Sequence, residues 1–284
     1  MPLVAAAVCP SPPMLLPELA GGAAAELDDL RAVCDRAVGR LLAADPDGIL
    51  IVGTGPETAW RRPDEYGTLA PWGVPLEVVP GRRGRPALPL SLTVGAWLLS
   101  RSVDLVPVPA GATEPAGQPG LPADPSAVME PAATAAAVAG GDPVPVGLAS
   151  LATGEPPDGC AAFGRHRCAP WRSRVALLVM GDGSAYRENP ATRYGDPRAE
   201  KFDATAAGAL AGADLDGLMR LDPSLAADLG VAGRAVWQAL AGAASGADWR
   251  AELLYDAAPY GVGYLVAAWE PAGGRTAGGS GTMG

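Results

Sequence analysis

Apolar residues come in short, dense runs along this chain. "LVAAAV" (3–8), "ILIV" (49–52), "PLEVV" (75–79), "PVPVGLAS" (143–150), "VALLVM" (175–180) and "GYLVAAW" (263–269) are largely continuous rather than alternating. Continuous runs suit strands covered on both faces; a half-solvated strand alternates. Between the runs the spacing turns helical. Leu27, Leu30, Cys34, Val38, Leu41 and Leu42 share one face of a helix predicted over about 23–44. "SLTVGAWLLS" (91–100) is apolar nearly all round, which predicts a buried helix. Asp196-Pro197 and Asp222-Pro223 are helix starts, a capping carboxylate followed by proline, with Glu200 in the turn after Asp196. "AVWQALAGAA" (235–244) predicts one more helix.

Strands alternating with helices predict an α/β fold: a single three-layer αβα domain around a mixed, largely parallel sheet, covering residues 1–270. The stretch 107–146, rich in Pro, Gly and Ala, reads as a surface excursion with a helix near 126–139. The Gly-rich tail 271–284 has nothing to pack and is expected to be disordered.

Composition narrows the function. With 284 residues, 49% of them hydrophobic, the chain can bury a large core. Its 21 basic residues against 31 acidic ones give a net charge of −10, which argues against nucleic-acid binding. The first 25 residues lack a basic leader and prolines break their apolar run, so no signal peptide is expected. No stretch approaches the roughly 18 apolar residues of a membrane span. The four cysteines (9, 34, 160, 168) are scattered, which fits reduced thiols and a cytoplasmic protein.

Three strand ends run into small polar residues: Cys9-Pro10-Ser11, Gly53-Thr54-Gly55-Pro56-Glu57 and Gly181-Asp182-Gly183-Ser184. In a parallel sheet such ends converge on one crevice. The plain alternative is three ordinary βα turns, with Asp182 or Ser184 capping a helix. "GTGPE" lacks the spacing and lysine of a phosphate loop, and "GDGSA" is not a G-x-S-x-G nucleophile elbow. His166 is the sole histidine. It sits among Arg165, Arg167, Arg172 and Arg174 and reads as part of a solvated basic strip. Its spacing to Cys160 and Cys168 matches no usual zinc pattern. Cys9 has no neighbouring base and reads as a buried thiol. Tyr255, Asp256, Tyr260 and Tyr264 flank a Pro-Tyr-Gly-Val-Gly turn, where a tyrosine hydroxyl either faces the crevice or packs at a strand end.

The order "VAAAVCPSPPMLLPE", "ILIVGTGPET", "LLVMGDGSAYR", "APYGVGYLVAAW" resembles the class III extradiol ring-cleavage dioxygenases. It is most similar to the actinobacterial proteins related to their catalytic B subunit, with Memo-type proteins more distant. The resemblance implies a non-haem Fe(II) held by two histidines and a carboxylate. Here those histidine positions fall on Ser11 and on Thr54, and the position of a third, catalytic histidine falls on Ala185. The metal-binding carboxylate comes from the C-terminal region, where Glu252 and Asp256 are the nearest acids. With one histidine in the chain, no iron cofactor is expected. The expectation is a non-catalytic protein that binds a small polar or aromatic metabolite or another protein, with a homodimer left open. The alternative is an enzyme doing different chemistry in the same crevice with Cys9, Glu57, Asp182 or Tyr260. The candidate pocket is Cys9, Ser11, Thr54, Glu57, Asp182, Ser184, Ala185 and Tyr260.

Overall fold

A computed structural model describes residues 3–107, 134–137, 144–168, 174–189 and 194–273. In chain order these form β1 (Leu3–Cys9), α1 (Pro17–Ala20), α2 (Asp28–Ala43), β2 (Gly48–Gly55), β3 (Ala59–Trp60), β4 (Glu65–Thr68), β5 (Glu77–Val78) and β6 (Arg85–Pro86). Then come α3 (Leu90–Ser100), β7 (Asp104–Pro107), β8 (Thr134–Ala137), β9 (Val144–Ala152), α4 (Pro157–Cys168), β10 (Val175–Met180) and α5 (Pro197–Gly212). The last are α6 (Leu215–Met219), α7 (Pro223–Asp228), α8 (Arg234–Ala244), β11 (Trp249–Ala257) and β12 (Tyr264–Pro271).

Nine strands make one sheet in the order β11-β12-β1-β10-β2-β9-β8-β7, with β3 beside β9. The four central strands, β1, β10, β2 and β9, are parallel. β12, β8 and β3 run against them. Side chains of the central strands point alternately to the two faces, and both faces are covered. Ala7, Cys9, Ile49, Ile51, Leu178 and Met180 pack with α2 and α3. Ala6, Val8, Leu50, Val52, Leu177 and Val179 pack with α4, α5 and α8. This is the three-layer αβα fold that the runs predict.

The layer on the α8 side is tight. All eleven residues of α8 are buried, including Arg234 and Gln238. Arg234 Nη1 donates to the Glu155 carbonyl at 2.7 Å and to Gln238 Oε1 at 2.8 Å. Gln238 Nε2 donates to the carbonyls of Leu218 (3.2 Å) and Leu221 (3.1 Å). α4 crosses α8 at glycines. A Cβ on Gly164 would overlap the Ala239 carbonyl, and one on Gly242 the backbone of Ala161.

Four sequence expectations change. "PLEVV" contributes only the two-residue β5, in a separate three-stranded sheet β5-β4-β6, because its Leu76 and Val78 pack beneath the α3 layer. The helix expected near 126–139 is strand at 134–137, since β8 bridges β7 and β9 and completes their backbone pairing; the rest of it lies outside the described residues. The helix over 23–44 is regular α only from Asp28, after a 3₁₀ segment at Gly21–Leu27. The tail begins later than 271, because Pro271 is the last residue of β12, paired with Trp249; residues 274–284 lie outside the described set. Among the described residues no helix is long and apolar enough to cross a membrane.

Candidate functional site at the strand ends

The carboxyl ends of β1, β10 and β2 stand side by side, with Cys9 opposite Met180 and Met180 opposite Gly53. One residue beyond each pairing lies the small polar sequence singled out above. The Ser11 N–H donates to Asp182 Oδ1 at 2.7 Å, and Ser11 Oγ to Asp182 Oδ2 at 3.3 Å. These two residues are 171 apart in sequence and meet because their strands are parallel neighbours.

The loop that carries Asp182 is fixed on three sides. Gly181 N donates to the Cys9 carbonyl at 3.0 Å, which continues the β1–β10 ladder. Gly233 N, at the start of α8, donates to the Asp182 carbonyl at 2.7 Å. Gly183 N donates to the Gly263 carbonyl (2.7 Å) and Gly263 N to the Ser184 carbonyl (2.8 Å), zipping the loop to the turn before β12. Beneath it Asp203 of α5 is fully buried. Asp203 accepts from Ser184 N at 2.8 Å and pairs with Arg187 Nη1 at 3.3 Å. Burial pushes the Asp203 carboxyl up against the opposing pull of Ser184 N–H and Arg187.

Ser11 is held from its own side. Arg31 of α2 is buried and donates through Nε to the Leu15 carbonyl at 2.8 Å and through Nη2 to the Ala24 carbonyl at 2.6 Å. This ties the Pro-rich stretch after β1 against α2. Proline at 10, 12 and 13 leaves few alternative backbone states for Ser11.

Electrostatically the centre is Asp182. Burial raises its pKa to about 6, and the two Ser11 hydrogen bonds offset only part of that rise. Tyr264 lies on the α2 side at the start of β12, where burial, and after it the Asp182 charge, holds its phenol well above the ordinary tyrosine range. The Tyr264 hydroxyl has no hydrogen-bond partner among the described residues. A half-buried carboxyl, a serine hydroxyl and a phenol therefore share the end of the β12–β1–β10 strands. Such a set accepts and donates hydrogen bonds to a hydroxylated ligand.

The other candidates divide. Thr54, the last residue but one of β2, stands in the same row, half-buried, and its carbonyl accepts from Ser91 Oγ of α3 at 2.6 Å. Cys9 has a different neighbour from Ser11. It is buried against α2 and lies within hydrogen-bond reach of Cys34, whose thiol is held well above the ordinary range by that bond and by burial. Ser184 is also turned away, its Oγ donating to the Leu229 carbonyl at 2.9 Å. Ala185 is exposed, with its N–H bonded to Leu229. Glu57 is exposed and pairs with Arg61 at 3.3 Å. Tyr260 gives its hydroxyl to Glu26 at 2.7 Å on the surface rather than to Ser11 or Asp182. Ser184 and Tyr260 are thus bonded to other partners; Ser11, Asp182 and Thr54 remain in the row.

The basic strip is elsewhere. α4 carries the chain from the end of β9 back towards the start of β10, so exposed Arg165 and His166 lie towards the opposite end of the sheet. Arg174 binds the Asp45 carbonyl at 3.0 Å there. Arg172 lies outside the described residues. Cys160 is buried, and burial pushes its thiol up to about 11.

Sequence reasoning missed a second polar group in the row. Ser150 of β9 is buried, donates to the Glu57 carbonyl (2.7 Å) and accepts from Arg61 Nη2 (2.7 Å). Arg61 also faces buried Glu65 at 3.8 Å, and Glu65 pairs with Arg85 at 2.9 Å. A serine inside the apolar run 143–150 was the available signal. Asp203 was legible too, as a single acid on the Ala199–Ala206–Leu210 face of α5.

The residues at the iron positions of the resemblance do not fit an Fe(II) centre. Ser11 spends its hydroxyl on Asp182, Thr54 offers a neutral hydroxyl and Ala185 offers no donor. Glu252 is engaged with Arg40 at 2.6 Å. Among the described residues no cluster of three or more His, Cys, Asp or Glu could hold a metal ion.

No protein-family model matches the chain. No curated protein matches it either. Among solved structures it is similar to the crystal structure of uncharacterized protein JW3007 from Escherichia coli K12, at 14% identity and a TM-score of 0.46, over 94% of this chain and 99% of that one.

Proposed function

We propose that the chain is an iron-free protein of the class III extradiol dioxygenase type whose strand-end crevice binds a small hydroxylated metabolite, polar or aromatic, without turnover. The observation that carries this reading is the Ser11–Asp182 pair. Asp182 is held at 2.7 Å by a backbone N–H, so its position is fixed before any ligand arrives. A carboxylate that has lost water and gained only Ser11 as a partner gains from one further donor. A ligand hydroxyl supplies it, and the Tyr264 phenol supplies a donor to a second ligand oxygen. In this reading no cofactor takes part and the protein works among the reduced thiols of the cytoplasm.

A second reading rests on the raised Asp182 pKa. A carboxyl titrating at about 6 serves as a general acid or base near neutral pH. Metal-independent proton transfer in the same crevice then replaces simple binding.

One screen tests both. Phenols, catechols and hydroxy acids are added singly and thermal unfolding is followed, with each compound recovered and weighed by mass spectrometry. Binding without turnover predicts a raised Tm and unchanged compound. Asp182→Asn and Ser11→Ala should each weaken the best hit by about tenfold, the worth of one hydrogen bond to a charged group. Consumption of a compound by the parent but not by Asp182→Asn selects the second reading. No stabilising compound, or equal binding by both variants, rejects the crevice. Tight, stoichiometric Fe(II) uptake rejects the iron-free assignment.

A further inference from the structure

A groove of about 470 Å³ opens between the first half of α5 and the segment from Arg220 to Leu225. It shares no residue with the strand-end row of Ser11, Asp182 and Thr54. Its floor is apolar: Phe202 and Leu221 are buried, and half-buried Leu225 closes one side. Its rim is cationic, with Arg198, Lys201 and Arg220. Lys201 is the sole lysine in the 284 residues.

The three cations are not equally free. Arg198 is neutralised by Asp196 at 2.8 Å and Asp228 at 3.3 Å. Arg220 leans on Asp214 at 3.6 Å. Lys201 makes no ion pair among the described residues. One acid, Asp222, also lines the groove, and its Oδ1 is spent capping Leu225 N at 2.8 Å. In a chain with a net charge of −10, an apolar hollow thus carries one cation, Lys201, that makes no ion pair among the described residues, while the two arginines at its rim are already paired with acids.

We propose that this groove binds a small organic monoanion with an apolar body, a carboxylate on an aromatic or short aliphatic group. The volume falls within the roughly 300–1,000 Å³ of small-molecule sites. Phe202, Leu221 and Leu225 desolvate the body. Lys201 receives the carboxylate as a compact charge on a flexible stem, with Arg220 beside it. A polyanion is disfavoured, because Arg198 is already neutralised and Asp222 faces the same space. A neutral analogue loses the charged contact.

The sole lysine makes the site directly readable. The purified protein is treated with a limiting acetylating ester, and modification of Lys201 is followed by peptide mass analysis, which separates it from the chain's amino terminus. Binding is followed in parallel with the fluorescent anion 8-anilinonaphthalene-1-sulfonate, displaced by 4-phenylbutyrate or by neutral 4-phenylbutanol. The expected result is displacement by phenylbutyrate and severalfold slower acetylation of Lys201 at saturation. Phenylbutanol should compete at least about tenfold more weakly, as one charge-assisted contact requires. Lys201→Ala should weaken dye binding by a similar factor, and Arg165→Ala should leave it unchanged. Lys201 is exposed, so that variant folds, and its melting curve verifies this. Unprotected Lys201, equal competition by phenylbutanol, or parent-like dye binding by Lys201→Ala each overturns the proposal.

Discussion

At the scale of one residue, Asp182 makes stability depend on pH in a stated direction. Its carboxyl titrates near 3.8 when exposed and about 6 in the fold. Between these values the folded state keeps a proton that the unfolded chain has lost. Stability therefore falls as pH rises from about 4 to about 6, and stays lower above that window. Asp182→Asn keeps an oxygen for Ser11 N–H and removes the titration. Its Tm, relative to the parent, should thus be higher at pH 7.5 than at pH 5 by at least about 2–4 °C, the shift that 1 kcal/mol gives a chain this large. Calorimetry at the two pH values measures it. A difference that is equal at both pH values, or larger at pH 5, shows that Asp182 does not carry a desolvated charge. The same scale explains what sequence could not reveal. Ser11 and Asp182 stand out in sequence as strand-end residues. That Cys9, two residues earlier, is packed against α2, and that Ser184 turns to Leu229, follows from helix packing and loop path, which no short motif encodes.

At the scale of the element, legibility follows burial. β1, β2, β9, β10, β12 and the buried helices α3 and α8 were legible because both faces are covered and the runs are continuous. β11 was not seen, because an edge strand half in water alternates apolar with polar residues, as Trp249, Ala251 and Leu253 do with Arg250 and Glu252. α4 was read as a charged strip, because the apolar side chains it buries among the described residues are few, Cys160, Ala161 and Phe163, and its last turn is basic. What makes α4 a core element is its close approach to α8 at Gly164 and Gly242, and glycine in a helix signals nothing by itself. A pair of substitutions separates the two roles of helical glycine. Gly208 of α5 is exposed and a Cβ there meets nothing within 4 Å, so Gly208→Ala should stabilise by about 0.5–1 kcal/mol through helix propensity. Gly242→Ala gains the same propensity but drives its Cβ into the Ala161 backbone, which cannot rotate away. Overpacking at about 1–3 kcal/mol wins, and the variant should be less stable than the parent in urea. Stabilisation by both substitutions would mean that α4 and α8 are not in close contact.

At the scale of the whole molecule, charge is spread against the fold. The acids exceed the bases by ten, so pairing leaves a net excess of ten negative charges whatever partners the Lys and Arg residues take. The ion pairs that do form are mostly at the surface, such as Arg83–Glu77 at 2.8 Å and Arg101–Asp35 at 2.7 Å. Exposed pairs contribute only about 0–1 kcal/mol each, and salt weakens them. Salt also weakens repulsion among the excess acids, which acts over a longer range. Raising NaCl from about 10 to about 100 mM shortens the screening length from about 30 to about 10 Å, comparable to the spacing between neighbouring surface groups. Contacts below 4 Å are screened little by that change, whereas the summed repulsion across the surface is screened strongly. The Tm should therefore rise over this interval at pH 7.5, where the carboxylates are charged, and the rise should shrink at pH 4.5 as they take up protons. A Tm that falls with salt at pH 7.5 would place the balance with the local pairs instead, and the acidic surface would then not oppose folding.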